Sequence, residues 1–279
     1  MLIAQALTHA HALGVDRLDA QLLLAHGLQQ SRAWLIAHDD LPLDGPQQQG
    51  YLAALAQRQA GVPVAYLVGE QEFFGLRLAV TPDVLVPRPE TEGLVEWALE
   101  LLPGAPGPGV VDLGTGSGAI ALALALALAL ARQAPHREVV ATDNSAAALK
   151  VARGNAARHG LAVEFLHGDW WAPLAGRRFG LAVSNPPYVA GDDPHLHALA
   201  HEPRGALTPE DDGLSALRRI VDGAPEHLNP GAWLLLEHGH DQADAVRGLL
   251  RKRGFEQVST RADLAGIPRC SGGAWTPHA

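Results

Sequence analysis

Cysteine and lysine are scarce in this chain. Cys270 is the only cysteine, which excludes an internal disulfide framework and any multi-cysteine zinc site, and fits a reducing compartment. Lys150 and Lys252 are the only lysines, and the formal charge is −9. No broad basic field is therefore available to hold a nucleic-acid backbone, and no direct nucleic-acid partner is expected. A basic segment followed by an apolar run is also missing at the start. His9, His11, Asp16, Arg17 and Asp19 break up the first twenty residues, so no signal peptide is read and a cytoplasmic location is expected. The one membrane-like stretch, Ala119 to Ala131, is thirteen residues of mostly Ala and Leu, whereas a span needs about twenty. No membrane partner is expected.

With 279 residues, 47% hydrophobic and 18% charged, the chain has the size and composition of a folded protein with two units. From Asp16 to Leu28 the residues Leu18, Leu22 and Ala25 recur at helical spacing, as do Tyr51, Leu52 and Leu55 between Gln47 and Gln59, which predicts a small N-terminal helical bundle. Leu41-Pro42-Leu43-Asp44-Gly45-Pro46 marks a loop between its helices. Two extended runs follow, Leu76 to Val80 and Val84 to Val86, divided by Thr81-Pro82-Asp83; they predict a hairpin joining the two units. Pro87-Arg88-Pro89 stops the extended segment, and Glu90-Thr91-Glu92 opens a helix with acids at the end its dipole favours.

Beyond Gly109, apolar runs alternate with helical segments: Val110 to Leu113, Val139 to Thr142, Val163 to Leu166, Leu181 to Val183 and Trp233 to Leu236. This predicts an α/β fold with a mostly parallel sheet covered on both faces, whose ligands sit beyond the carboxyl ends of the strands. The Ala/Leu alternation after the first run has a strand-like period. Both residues are strong helix formers and the run follows a glycine loop, so it is read as a helix covered on several sides.

The motifs fall just after these runs. Val110-Val111-Asp112-Leu113 leads into Gly114-Thr115-Gly116-Ser117-Gly118, a glycine turn that lets a ligand approach the main chain. Alone, such a loop suits NAD, FAD or S-adenosylmethionine equally. Asp143 ends the next strand, where a carboxylate can accept bonds from both ribose hydroxyls of an adenosine, or else cap the helix starting near Ser145. In Gly168-Asp169-Trp170-Trp171 an aspartate can meet an adenine edge and an indole cover its face; a tryptophan here serves equally as core packing.

Ser184-Asn185-Pro186-Pro187-Tyr188 follows the fourth run. A nitrogen conjugated to a carbonyl or an aromatic ring is a poor nucleophile and has to be oriented. The Asn185 side-chain oxygen and the Pro186 carbonyl can accept the two N–H bonds of an NH2 group, Pro186 and Pro187 remove two backbone donors, and Tyr188 can pack flat on the planar group. Asn185, Pro186, Pro187 and Tyr188 are thus the candidate catalytic residues. His195, His197 and His201 lie near Asp192 and Asp193 without a partner cysteine or His-Glu helix motif, so no metal is assigned to them.

Asn185-Pro186-Pro187-Tyr188 together with Asp112 to Gly118 resembles the amino-methyltransferase branch of the class I S-adenosylmethionine-dependent enzymes. Further stretches resemble the protein-(glutamine-N5) methyltransferases of peptide chain release factors: Asp19 to Leu24, Pro63 to Gly69, Gln71 to Gly75, Pro87 to Glu92, Asp193 to Leu196, Glu202 to Arg204 and Glu237 to Gly239. The resemblance covers nearly the whole chain. It implies a Rossmann-like class I sheet of seven strands with a small N-terminal helical domain and a β-hairpin linker. The domains would be residues 1–70, which help hold the substrate, 71–86, the linker, and 87–279, the catalytic domain. It also implies S-adenosylmethionine as cofactor, bound by Gly114, Thr115, Gly116, Ser117, Gly118, Asp143, Trp170 and Asn185. The partner would be a class I release factor, methylated on the glutamine of its Gly-Gly-Gln motif.

Two departures from the family pattern stand out. The Ala/Leu run carries about one extra helical turn, and Gly180 stands where an aspartate is usual. An adenine-N6 methyltransferase of nucleic acid would present the same planar NH2, but this acidic chain lacks the basic groove or recognition domain that base handling calls for. A glutamine of a ribosomal protein is the other alternative substrate. A binding module without chemistry, or a dinucleotide oxidoreductase, leaves the Asn185–Tyr188 loop without a role.

Overall fold

The computed structural model of the chain describes residues 1–131 and 138–277; residues 278–279, the end of the expected catalytic domain, lie outside it. Contacts divide the chain into two compact units, residues 1–70 with 198–201, and residues 71–197 with 202–279.

The first unit holds helices α1 (Ile3–Ala12), α2 (Arg17–Leu28), α3 (Arg32–Ala37), α4 (Gly45–Gln59) and α5 (Val64–Val68). Asp16, Ser31 and Asp44 cap α2, α3 and α4 by accepting the backbone N–H of Leu18, Trp34 and Gln47, satisfying donors that a helix start leaves orphaned. Ile3, Ala6, Leu23, Leu24, Leu35, Tyr51 and Leu55 form the core. Of the three residues the spacing argument chose in α2, Ala25 is buried in this core. Leu18 and Leu22 are exposed, whereas Leu23 and Leu24 are buried, because α2 meets neighbours on the side of Ala20, Leu23 and Leu24 and its four consecutive apolar residues from Leu22 to Ala25 blur the period.

A hairpin follows, earlier in the chain than the expected pair of runs. Its strands are β1 (Glu70–Phe73) and β2 (Leu76–Ala79). Phe74 and Gly75, at φ 50 and 78°, form the two-residue left-handed turn whose twist matches that of paired strands. Thr81-Pro82-Asp83 is a turn as well, closed by Val84 N–H on the Thr81 carbonyl at 3.1 Å, but Val84 to Val86 is not a strand.

The second unit continues as α6 (Glu92–Leu101), β3 (Gly109–Leu113), α7 (Ala119–Ala131), β4 (Glu138–Asp143), α8 (Ala146–His159), β5 (Glu164–His167), β6 (Phe179–Ser184), α9 (Arg204–Leu207), α10 (Ser215–His227), β7 (Leu228–Glu237), α11 (Ala243–Arg253), β8 (Phe255–Ala262) and β9 (Pro268–Trp275). The sheet order is β5-β4-β3-β6-β7-β9-β8. The strands from β5 to β7 are parallel, and β9 lies antiparallel between β7 and β8. Side chains alternate across the pleat. Val110, Leu181, Val183 and Leu235 pack under α6 and α7, while Val111, Leu113, Ala182, Leu234 and Leu236 pack under α10 and α11. Burial of both faces is what a parallel sheet between helix layers requires.

The Ala/Leu run is α7, buried from Ala119 to Ala125 and emerging into solvent at Ala129 and Leu130. At Gly180 a Cβ would come within 2.4 Å of the Pro106 carbonyl oxygen, so the strand can pass this close to the preceding loop only where the residue has no side chain. Among the described residues, no helix is long and apolar enough to cross a membrane.

Candidate active site

The glycine loop leaves the carboxyl end of β3 and is tied to the neighbouring strand, since Gly114 and Thr115 N–H both donate to the Thr142 carbonyl, at 2.9 and 3.0 Å. Gly114 has φ 74°, and a Cβ on it would lie 2.9 Å from the Trp170 ring. Both the backbone angle and the approach of the indole demand glycine there. Trp170 itself holds the left-handed conformation at φ 48° and lines the cleft. Trp171 turns the other way, buried with its indole N–H donating to the Ile220 carbonyl at 2.9 Å. Of the two indoles after Gly168-Asp169, Trp171 is core packing and Trp170 lines the cleft.

The cleft has a volume of about 260 Å³. It brings together Gly114, Thr115, Gly116 and Ser117, Asp143, Trp170, Asn185 and Pro187, together with Arg88 and Thr91. Gly118 packs instead toward Ala152 and Leu122. Pro186 is buried, and Tyr188 stands behind the cleft wall with its hydroxyl donating to Glu237 Oε1 at 3.1 Å. This differs from the expected flat packing of Tyr188 on a bound planar group.

Asp143 accepts Gly116 N–H at its Oδ2 and Ser145 N–H at its Oδ1, both at 2.8 Å. The cap of α8 is Ser145, whose hydroxyl accepts Ala148 N–H at 3.1 Å; Asp143 is thus free of that duty, and each oxygen keeps a lone pair for a ligand hydroxyl. Burial pushes the Asp143 carboxyl above its ordinary value, opposed by these N–H bonds. Asp169 lines the same cleft and is ion-paired with Arg219.

Asn185 donates through Nδ2 to Thr91 Oγ1 at 3.1 Å, which turns its Oδ1 to the other side of the amide. The loop is held from behind as well, by Gln242 Nε2 donating to the Tyr188 carbonyl at 2.9 Å. Arg88 is bonded to buried Glu202, which also accepts Val86 N–H at 3.0 Å. His195 is bonded to Asp193, and the described residues include no group of His, Cys, Asp and Glu that could hold a metal.

Several further residues support the site without belonging to a sequence motif for it. Asn155, fully buried in α8, donates to the Ala79 and Ser117 carbonyls at 3.0 and 2.9 Å and accepts Ala79 N–H at 2.7 Å, joining the hairpin to the glycine loop. A lone polar residue in a helix gives no sequence signal of that kind. Asp112 is fully buried and its carboxyl is pushed up to about 7 by desolvation, against hydrogen bonds from Thr115 and Ala121. Its Oδ1 has no partner among the described residues. Glu237 is likewise pushed up to about 7 by burial.

A seven-stranded sheet in this order, with a glycine loop after β3, a carboxylate at the end of β4 and an indole over the loop, defines a class I S-adenosylmethionine-dependent methyltransferase. The cradle suits that cofactor: Asp143 offers two acceptor oxygens, and the missing side chain at Gly114 lets the Trp170 indole lie against the loop where it lines the cleft. The PrmC N-terminal domain matches residues 3–69 and the Methyltransferase small domain residues 96–210. The chain is 54% identical to the release factor glutamine methyltransferase of Bordetella pertussis, over 93% of this chain and 95% of that one. To the corresponding protein of Burkholderia pseudomallei it is 53% identical, over 93% and 92%. It therefore belongs to the release factor glutamine methyltransferase family. Solved structures agree on the fold: a methyltransferase from Pyrococcus furiosus superimposes with a TM-score of 0.53 at 19% identity, covering 80% of this chain and 100% of that one.

Proposed function

We propose that the enzyme transfers the methyl group of S-adenosylmethionine to the side-chain N5 of the glutamine in the Gly-Gly-Gln motif of class I peptide chain release factors. The carrying observation is the orientation of Asn185: with Nδ2 engaged by Thr91, the side chain meets the cleft as an acceptor through Oδ1. An acceptor there, with the Pro186 carbonyl beside it, suits the two N–H bonds of a primary amide. Family membership and the acidic net charge favour this substrate over adenine N6 of a nucleic acid and over a ribosomal-protein glutamine.

The cofactor supplies an electrophilic methyl group. Asn185 and Pro186 hold the amide so that its nitrogen lone pair is directed at that group, and the rate gain comes from proximity and orientation. No strong base is required before attack, because the amide proton leaves once the nitrogen carries positive charge. Gly114, Thr115, Gly116, Ser117 and Gly118 shape the cofactor cradle, Asp143 takes the ribose hydroxyls and Trp170 covers the adenine. The helical unit, matched by the PrmC N-terminal domain, helps hold the release factor.

The test is methyl transfer to a purified class I release factor, with Asn185→Ala as control and cofactor affinity measured in parallel. The reading expects transfer by the wild type and strong loss in Asn185→Ala with cofactor binding retained. Equal transfer by both proteins would refute the role given to Asn185.

A further inference from the structure

Gln242 stands at the start of α11, just past the end of β7, yet its side chain makes no capping bond to the helix. Its amide is spent on three other places in the chain. Nε2 donates to the Tyr188 carbonyl at 2.9 Å and lies 3.5 Å from the Gly213 carbonyl, while Oε1 accepts Gly239 N–H at 2.8 Å. Backbone carbonyls only accept and a backbone N–H only donates, so a flipped amide would lose all of these bonds. Gly239 is itself held. Its carbonyl accepts Gln242 N–H at 3.0 Å and lies 2.8 Å from Nδ1 of fully buried His238, whose Nε2 is 2.8 Å from Ser271 Oγ of β9.

Tyr188 is therefore tied twice to the chain around the end of β7, by its hydroxyl to Glu237 Oε1 at 3.1 Å and by its carbonyl to Gln242. The loop it closes has little else to hold with. Pro186 and Pro187 carry no N–H, so the middle of the loop takes its position from its ends. Thr91 holds the Asn185 end, and Gln242 and Glu237 hold the Tyr188 end. Gly213 shows how closely that second end is packed: it has φ 78°, and a Cβ there would overlap the Tyr188 carbonyl oxygen and lie 2.8 Å from Gln242 Nε2.

We propose that Gln242 is a positioning residue for methyl transfer: by donating to the Tyr188 carbonyl it fixes the far end of the loop of residues 185–188, and with it the Pro186 carbonyl that accepts from the substrate amide. This rests on the reading of Asn185 and Pro186 as the substrate's acceptors. Gln242 is not among the residues lining the cleft; it acts through the backbone of Tyr188. A role confined to tying α11 to the sheet would lower the melting temperature and leave turnover alone, whereas a positioning role lowers turnover in the folded enzyme.

The experiment compares wild type with Gln242→Glu, Gln242→Leu, Gly213→Ala, the double variant Gln242→Glu with Gly213→Ala, Asn185→Ala and Leu250→Ala. Melting temperature, calorimetric cofactor affinity, and kcat and KM on a class I release factor are measured at a temperature where all are folded. Gln242→Glu keeps the side chain's length and the acceptor for Gly239 N–H, and loses the donor to the Tyr188 carbonyl. It is expected to lower kcat roughly 10- to 100-fold, the cost of misplaced orienting groups. KM and cofactor affinity should stay unchanged, as when an interaction serves the transition state alone. Gln242→Leu should lose as much. Gly213→Ala, which wedges donor and carbonyl apart, should also lose kcat, and the double variant should be no worse than the weaker single one. Leu250→Ala empties a fully buried position of α11, which destabilises the fold without reaching the loop, and should keep wild-type kcat.

Wild-type kcat in Gln242→Glu, an equal loss of kcat in Leu250→Ala, or a double loss equal to the product of the single losses overturns the proposal. Should the Gln242 variants not fold, Gly213→Ala still decides, because wild-type kcat there overturns it too. Asn185→Ala separates the two levels: full activity there defeats the reading of the loop and the proposal with it, whereas loss there beside full activity in Gln242→Glu defeats only the role of Gln242.

Discussion

The Trp170 ring lies directly above the backbone of Gly114, so close that a Cβ at residue 114 would sit 2.9 Å from Trp170 Cζ3. The glycine loop and the indole therefore shape the cofactor cradle jointly. Gly114→Ala should suffer twice, from the contact and from a backbone angle that costs an L-residue roughly 1–2 kcal/mol. Calorimetry is expected to show S-adenosylmethionine affinity reduced about tenfold or more, together with a lower melting temperature; unchanged affinity would disprove the joint cradle.

Asp143 holds the same loop from the side of β4 through Gly116 and Ser145. Asp143→Ala removes the acceptor for two backbone donors and, on the proposed reading, for the ribose hydroxyls, each charge-assisted bond being worth roughly 1.5–3 kcal/mol. Cofactor affinity should fall about 10- to 100-fold, with the helix start at Ala146 intact because Ser145 caps it. Circular dichroism beside calorimetry checks both halves of that statement.

Asp112 and Glu237 both have carboxyls raised to about 7 by burial. A folded-state value raised above the unfolded one means that the folded protein binds these protons more tightly. Their contribution to stability is fully present below about pH 4, the unfolded carboxyl range, and is lost as pH rises through 7. Melting of the ligand-free protein should therefore show a component that falls between about pH 4 and 7 and levels off above. In Asp112→Asn that fall should be smaller, and an unchanged pH slope would contradict the assignment.

Gly180 tests the reading of a family departure. Gly180→Asp would put a Cβ within 2.4 Å of the Pro106 carbonyl oxygen, so restoring the usual residue should destabilise this chain, by about 2 kcal/mol or more. A melting temperature equal to or above wild type would mean that the loop at Pro106 yields freely.

Legibility followed the physics of each element. The inner parallel strands declare themselves as apolar runs because both their faces are buried, as in β3 and β6, whereas the edge strand β5 has no buried residue; the motifs after the strands stand where ligand-bearing loops belong. The antiparallel β8 and β9 were not located from the residues: β8 is largely polar, and β9 carries Gly272 and Gly273, where close packing on Leu235 and Val258 leaves no room for side chains. The hairpin was displaced because Phe74 supplies a left-handed turn residue that composition does not advertise. Within the site, Asn185 and Asp143 were readable from position. Thr91, Asn155 and Glu237 were not, since their importance lies in partners far away in sequence.

The most direct test of the central claim is to run the reaction with methyl-labelled S-adenosylmethionine and a class I release factor, and to locate the label by tandem mass spectrometry. A second release factor, with the Gly-Gly-Gln glutamine replaced by glutamate, lacks the amide NH2 and is run alongside. The account predicts one label on the glutamine side-chain nitrogen and none on the glutamate protein. A label elsewhere in the release factor, or equal labelling of both proteins, would contradict it.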